Sequence, residues 1–372
     1  MRLGLSTILS MVNNPIDQKT EDENRYQSLN RPAGGVLLLR AAGLATLVIF
    51  AFLVCVALGS VSIPLGKTAS ILFGSLRGQQ FIGDTEAVII LTVRLPRVLS
   101  VFLVGASLSL CGAAMQGLLR NPLADGATLG VSSGASFGAM LAILLGISLP
   151  SLPLAGSALM SVLFAFISLS LVLSLAFALD RSLATSTIIL IGVIFTMFMG
   201  SLMSLLISFS GPRLRSLTFW TLGSLSGAGY REGLFLLAVL LVCGTVILLH
   251  VRELDAFSMG EENARHIGVS ERRVKLIIMI AVSLLIGVCV SIGGSIGFVG
   301  LVIPHITRLI TGPSHRRVLP VSIFLGGIFL MLCDLIARTL LSPVELPLGV
   351  VTSLIGAVFF VMILVRSRRR AS

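Results

Sequence analysis

The residues best suited to chemistry in this sequence are cationic. Arg94 and Arg97 stand three apart in VRLPRVL, and Arg338 follows Asp334 by four in CDLIART. A spacing of four puts Asp334 and Arg338 on one helix face, where they can pair. Arg94 and Arg97 open a long apolar run, and cations at a helix N-terminus oppose the macrodipole. Helix stability does not account for them. Two readings do: snorkelling to a membrane interface, or contact with an acidic partner. Either is ionic recognition rather than bond-making. The motifs of bond-making are missing, since the sequence holds no GxxxxGK[ST], no HExxH and no GxSxG. Cys55, Cys111, Cys243, Cys289 and Cys333 each lie alone in an apolar run, so neither a metal site nor a disulfide framework is supported.

The elements that must position these arginines are set by composition. Of 372 residues 55% are hydrophobic and 12% charged, with a mean hydropathy of +1.04. Soluble domains carry about 25% charged residues, so this chain lacks the polar surface for a water-soluble fold. The fold class expected is an all-α polytopic membrane protein. A spanning helix needs about 20 apolar residues. Ten stretches qualify: 36–58, 98–119, 127–147, 154–179, 186–209, 232–250, 274–293, 296–310, 318–340 and 346–365. The eighth is short and holds Pro304.

Charge sets the orientation, because cytoplasmic loops concentrate Lys and Arg. With both termini in the cytoplasm, nineteen of the 27 basic residues fall inside and eight outside. The net charge of +11 is therefore a matter of topology, and no nucleic-acid partner is expected. Ten spans divide into five plus five of opposite sense, the topology of an inverted repeat. Residues 1–35 read as a polar cytoplasmic extension, 36–366 as the ten-helix transmembrane domain, and 367–372 as a basic tail.

The longest charged loop is HVRELDAFSMGEENARHIGVSERRVK, between spans six and seven. Ala256 to Ile267 reads as a short helix stopped by Gly268. A second short helix is expected from Ser270, with Glu271 in its first turn. Two short helices on the membrane surface make a platform for a partner. Ionisable residues within the spans are scarce, and Asp334 is the clearest intramembrane acid. A carrier driven by an ion gradient needs such relays at the midplane. This disfavours a secondary transporter, and the lack of a catalytic constellation disfavours a membrane enzyme. Energy must come from another subunit.

Four segments in order carry a resemblance: RLPRVLSVFLVGASLSLCGAAMQGLLRNPLADGATLGVSSGASFGA, LDAFSMGEENARHIGV, GSIGFVGLVIPHITRLI and ELPLGVVTSLIGA. Over about residues 40–365 the chain resembles the FecCD-type permeases, membrane subunits of type II ABC importers for iron–siderophores, haem and vitamin B12. The resemblance implies a cytoplasmic (inner) membrane location and a second permease subunit, a copy or a paralogue. It also implies two cytoplasmic ABC ATPases and an extracytoplasmic substrate-binding protein. No cofactor or metal is implied on this chain, with ATP and Mg2+ on the partner subunit, so the chain itself is not expected to be an enzyme. Arg94, Arg97 and Arg338 match positions that meet acidic residues of the binding protein. Leu254, Met259, Gly260, Glu261, Glu262, Ala264, Arg265 and Gly268, within a stretch of about 254–272, match the coupling helices that sit on the ATPase. Thr185 and Ser186 match the cytoplasmic gate, and Asn121 and Leu123 a second constriction. One departure is Gly126, where many members carry proline after PLAD.

The expected activity is alternating-access import, with iron(III)–siderophore the default cargo and haem or vitamin B12 the alternatives. Small and hydroxyl residues such as Ser132, Ser133, Ser136 and Thr352 suit either the path or close helix packing. The glycines at 126, 130, 134 and 138 suggest one helix face in contact with a neighbour.

Overall fold

A computed structural model describes residues 34–59, 61–81, 83–126, 128–147, 155–181, 184–266 and 268–371. The expected extension at 1–35 falls almost wholly outside them. Among the described residues the helices are α1 (Gly34–Ala57), α2 (Leu65–Leu76), α3 (Thr85–Leu118), α4 (Val131–Leu145), α5 (Ala155–Leu179), α6 (Thr185–Ser208) and α7 (Leu214–Thr221). They continue with α8 (Tyr230–Leu249), α9 (Val251–Ser258), α10 (Glu261–His266), α11 (Glu271–Gly293), α12 (Val299–Thr311), α13 (His315–Thr339) and α14 (Leu348–Ala371). The chain divides into a unit ending at Phe50 and a unit of Ala51–Ser372. In the first, only the opening turns of α1 are described, where the Thr46 hydroxyl donates to the Ala42 carbonyl at 2.9 Å. Every candidate functional residue lies in the second.

All ten expected spans fall on helices. Six helices (α3, α5, α6, α8, α11 and α13) are long and apolar enough to cross a bilayer. Ala42–Ala57, Val131–Leu145, Val299–Thr311 and Leu348–Met362 are shorter apolar segments. Large apolar side chains point outward along them, among them Ile194 and Phe198 on α6, Leu241 and Val242 on α8, and Val358 and Phe359 on α14. In water such faces would associate; against lipid they need no cover.

Helices α3 and α11 form the centre. Besides touching each other, α3 packs on α12 and α13, while α11 packs on α4 and α5. The second helix of each half thus packs on the third and fourth helices of the other. Helices α4 and α5 pair as α12 and α13 do. This exchange of neighbours is what any two-fold internal repeat produces, whatever its sense. The third helix of each half also begins in the same way, behind a left-handed residue: Gly130 (φ 70°) before α4 and Phe298 (φ 68°) before α12.

Close approach is what the small residues supply. A methyl group on Gly112 would sit 1.8 Å from the Gly300 carbonyl oxygen, and one on Gly105 would sit 2.3 Å from that of Gly326. These contacts seat α3 on α12 and α13. Without a hydrophobic drive between helices in lipid, such van der Waals contact is a main source of association.

Two expectations need correction. Hydropathy places the start of the third span at residue 127, but α4 starts only at Val131. Asp125 and Thr128 bond to each other first: the Thr128 N–H donates to Asp125 Oδ1 at 3.1 Å, and the Thr128 hydroxyl to the Asp125 carbonyl at 2.7 Å. Such local bonds compete with helix. Only Gly134 and Gly138 therefore lie on the helix face expected for all four glycines, and they meet α5 at Ser168, Phe164 and Met160. Gly126 and Gly130 are in the preceding loop, against Ile286 and Phe195. Second, Ala256–Ile267 is not one helix. Gly260 takes φ 111°, which no right-handed helix accommodates, so α9 ends and α10 starts there. The helix expected from Ser270 is the first turn of α11 rather than a separate short element.

Candidate coupling, docking and path sites

The coupling stretch is anchored by its apolar side chains. On α9, Val251, Leu254, Ala256 and Phe257 are buried, and the helix packs on α3 and α13. On α10, Ala264 is fully buried. Between these anchors Met259 is 72% exposed and Glu262 faces outward, as does Arg265 just after them. Arg265 Nη2 donates to Glu271 Oε2 at 3.0 Å, and Asn263 Nδ2 to the Met259 carbonyl at 2.8 Å. Glu261 opens α10, and Gly268 (φ 87°) turns the chain into α11. Leu254 and Ala264 are thus the fasteners, while Met259, Gly260, Glu262 and Arg265 are the presented surface.

A link from α9 into the bundle has no signal in the sequence. Asp255 Oδ1 accepts the His315 N–H at 2.7 Å and lies 2.8 Å from its Nδ1, while Oδ2 accepts the Ser314 hydroxyl at 3.1 Å. A methyl group on Gly117 of α3 would sit 2.3 Å from His315 Nε2. Helix α9, α13 and the end of α3 meet at this imidazole.

At the far end of α3 and α13 the three arginines converge. Arg94 closes a π-helical turn at Ile89–Arg94, a deviation frequent at functional sites. Its Nη1 donates to the Val56 and Ala57 carbonyls at 3.1 and 2.6 Å, and its Nη2 to Val61. Arg97 Nε and Nη2 donate to Asp334 Oδ1 at 3.1 and 2.9 Å; its Nη1 and Nη2 donate to both oxygens of Glu345 at 2.9 and 3.0 Å. Arg338 Nε lies 3.2 Å from Asp334 Oδ2, an ion pair without hydrogen-bonding alignment, and Nη2 donates to the Cys55 carbonyl. The Asp334–Arg338 pairing expected at spacing four is present. The expected surface patch is turned inward, with Arg94, Arg97 and Arg338 only 5%, 8% and 5% exposed. Glu345, the exposed member of the cluster, is absent from the sequence-based set.

The path residues lie on separate elements. Asn121 Oδ1 accepts the Leu123 N–H at 2.9 Å in the α3–α4 loop, and Leu123 is exposed. Thr185 starts α6 half-buried, with Ser186 exposed beside it. Ahead of them Asp180 Oδ2 accepts the Ala184 N–H at 3.2 Å. Gly192 of α6 rests on the Thr128 carbonyl, which ties this helix to the α3–α4 loop. Ser133, Ser136 and Thr352 are buried in packing, whereas Ser132 lines a cavity of about 80 Å³ with Asp125, Ile286 and Gly297. That space admits a few waters. A second cavity, of about 510 Å³, is lined by Trp220, Ser224, Ser226 and Glu232. Gln116 is a further residue that sequence reasoning misses: its Nε2 donates to the Gly300 and Leu301 carbonyls at 3.2 and 3.1 Å, and its Oε1 accepts from Arg308. Among the described residues no group of His, Cys, Asp and Glu is placed to hold a metal.

The chain as a whole is matched by known proteins. The model of the FecCD transport family matches residues 47–366. This chain belongs to the FecCD transport family. An uncharacterized ABC transporter permease protein of Bacillus subtilis, YvrB, is 44% identical over 313 residues, 84% of this chain and 89% of the relative. The cobalamin import system permease protein BtuC of Halobacterium salinarum is 39% identical over 281 residues, 76% of this chain and 74% of that one. A solved structure described as an inward-facing conformation of a metal-chelate type ABC transporter superposes with a TM-score of 0.76 at 32% identity. It covers 87% of this chain and 98% of its own. The chain is therefore a multi-pass membrane protein of an ABC permease family, whose members are transport subunits rather than catalysts.

Proposed function

We propose that this FecCD-family chain is the path-forming permease of an ABC importer that carries a metal chelate inward across the cytoplasmic membrane. The observation that carries the reading is the α9–α10 segment. It is a presented surface, fastened by Leu254 and Ala264 and tied through Asp255 to α13, in a chain with no nucleotide-binding motif. Two ATPase subunits holding ATP and Mg2+ push on this surface. On this reading, ten spans with the α9–α10 loop inside put both ends of the chain in the cytoplasm.

A second permease subunit completes the path. The 80 Å³ cavity lined by Ser132, Asp125 and Ile286 has room for a few waters and not for a chelate. Bulky cargo passes instead along a surface shared with the partner, where the outward apolar side chains of α6 and α14 are on offer. Thr185, Ser186, Asn121 and Leu123 narrow its inner end. A loaded binding protein docks over the arginine cluster. Because the Arg97 guanidinium is engaged by Asp334 and Glu345, an acidic partner gains Arg97 by displacing the exposed Glu345.

Iron(III)–siderophore is the cargo the family resemblance implies. Vitamin B12 is the second reading, favoured by the 39% identical cobalamin permease. Reconstitution with an ATPase subunit and a binding protein that co-purify with this chain tests both. ATP-dependent uptake of a labelled ferric siderophore, and not of cyanocobalamin, supports the first, and the converse supports the second. Uptake that needs no ATPase subunit and collapses with an ionophore overturns the ABC importer mechanism.

A further inference from the structure

On the membrane face that carries α9 and α10, the ends of α5, α6 and α11 enclose a crevice of about 80 Å³. Its wall is divided by polarity. Leu173, Phe177 and Leu276 form the apolar part, and Phe177 and Leu276 are 42% and 37% exposed, so the crevice opens toward the bilayer tails. Arg181, Arg272 and Lys275 form the polar part. Lys275 is only 5% exposed. The Arg272 guanidinium lies over the Phe177 ring, 5.7 Å from its centroid. A cation–π contact of this kind holds a charge at an apolar edge. The carboxylate in the crevice, Glu271, is engaged by Arg265 at 3.0 Å.

Helix stability does not explain the cations. Arg272, Arg273 and Lys275 crowd the first turns of α11, where positive charge is unfavourable. An anion in the crevice reverses the sign of that term. It would meet the positive end of the helix and three cations, while an attached alkyl chain lay on Phe177 and Leu276. Basic pockets between helices on the cytoplasmic side recognise anionic headgroups in this way.

We propose that this crevice binds an anionic phospholipid of the cytoplasmic leaflet, with its phosphate among Arg181, Arg272 and Lys275 and one chain against Phe177 and Leu276. The site is separate from the cargo path, and the proposal holds for any cargo. It rests on the cytoplasmic placement of the α9–α10 face, which labelling of a Met259→Cys variant from either side of the membrane measures independently.

Native mass spectrometry of the full-length purified protein, released from micelles with phosphatidylglycerol or phosphatidylcholine, tests it. The wild type should retain phosphatidylglycerol selectively. The double variant Arg181→Gln, Arg272→Gln should lose about 25-fold in retention, at about fivefold per cation. Arg272→Lys alone should keep most of it, which separates lost charge from misfolding. Thermal melting should rise with phosphatidylglycerol and not with inorganic phosphate. Equal retention of both lipids, undiminished retention by the double variant, or the same thermal shift from phosphate alone would overturn the proposal. So would displacement of the lipid by added ATPase subunits, which would make the crevice a protein interface.

Discussion

Asp255 caps α13 from a different helix. Ser314, the N-cap residue, makes no side-chain bond to its own helix. Instead its hydroxyl and the His315 N–H both donate to the Asp255 carboxylate of α9. The carboxylate only accepts, so His315 Nδ1 carries the proton that faces it. Helix α9 is thus joined to the bundle through one acid rather than through packing alone.

Asp255→Ala removes these bonds together. Hydrogen bonds to a charged group contribute about 1.5–3 kcal/mol each when half-buried or deeper. With the three bonds lost together, chemical denaturation in detergent should show a loss of about 4 kcal/mol or more. The more telling readout is the ratio of transport to ATP hydrolysis in the assembled complex. Uptake should fall at least tenfold while hydrolysis persists. A proportional fall in both would mean that Asp255 holds the fold and transmits nothing.

The arginine cluster separates a structural acid from an exchangeable one. Asp334 is 1% exposed and faces both Arg97 and Arg338. Removing one partner of a buried ion pair costs about 3–5 kcal/mol, so Asp334→Ala should abolish accumulation of folded protein. The Glu345 side chain is 43% exposed. Glu345→Gln should leave melting within a few degrees of the wild type and tighten binding of the substrate-binding protein, measured by surface plasmon resonance. Weaker binding would show that Glu345 belongs to the docking surface and is not displaced from it.

Much of this architecture is written locally. Hydropathy marks all ten apolar stretches, because a lipid-facing helix must be apolar over its whole length. The spacing of Asp334 and Arg338 gives their pairing, since residues four apart share a helix face. What stays hidden is long-range. Arg97 meets Asp334 and Glu345 across 237 and 248 positions, and no local period records such a contact. The late start of α4 depends on Asp125 and Thr128 bonding to each other, a choice that hydropathy does not see. Gly260 is visible as a residue, but only its φ of 111° shows that it divides α9 from α10.

The glycine contacts give a graded test of the packing. Gly112→Ala drives a methyl group into the Gly300 backbone. Rigid backbone cannot yield as a side chain does, so the variant should lose about 3 kcal/mol or more. Gly66→Ala at the start of α2 meets nothing within 4 Å. It should be neutral or gain up to about 1 kcal/mol from the higher helix propensity of alanine. Similar melting temperatures for the two variants would mean that α3 and α12 are not in this contact.

The sidedness of the platform is open to direct measurement. All five cysteines are buried, so a thiol placed at the surface will dominate labelling. α3 holds 34 residues, about 50 Å of helix, enough to cross the bilayer. One end lies beside α2, where Lys67 pairs with Glu86 at 2.5 Å; this hydrogen bond raises the Lys67 pKa. The other end lies beside α9. Leu76 at the end of α2 is 85% exposed and Met259 is 72% exposed. With a membrane-impermeant maleimide, Leu76→Cys should label in intact cells and Met259→Cys only in inverted vesicles. Labelling of both from one side would place α2 and α9 on the same face and remove the basis for an ATPase acting on α9.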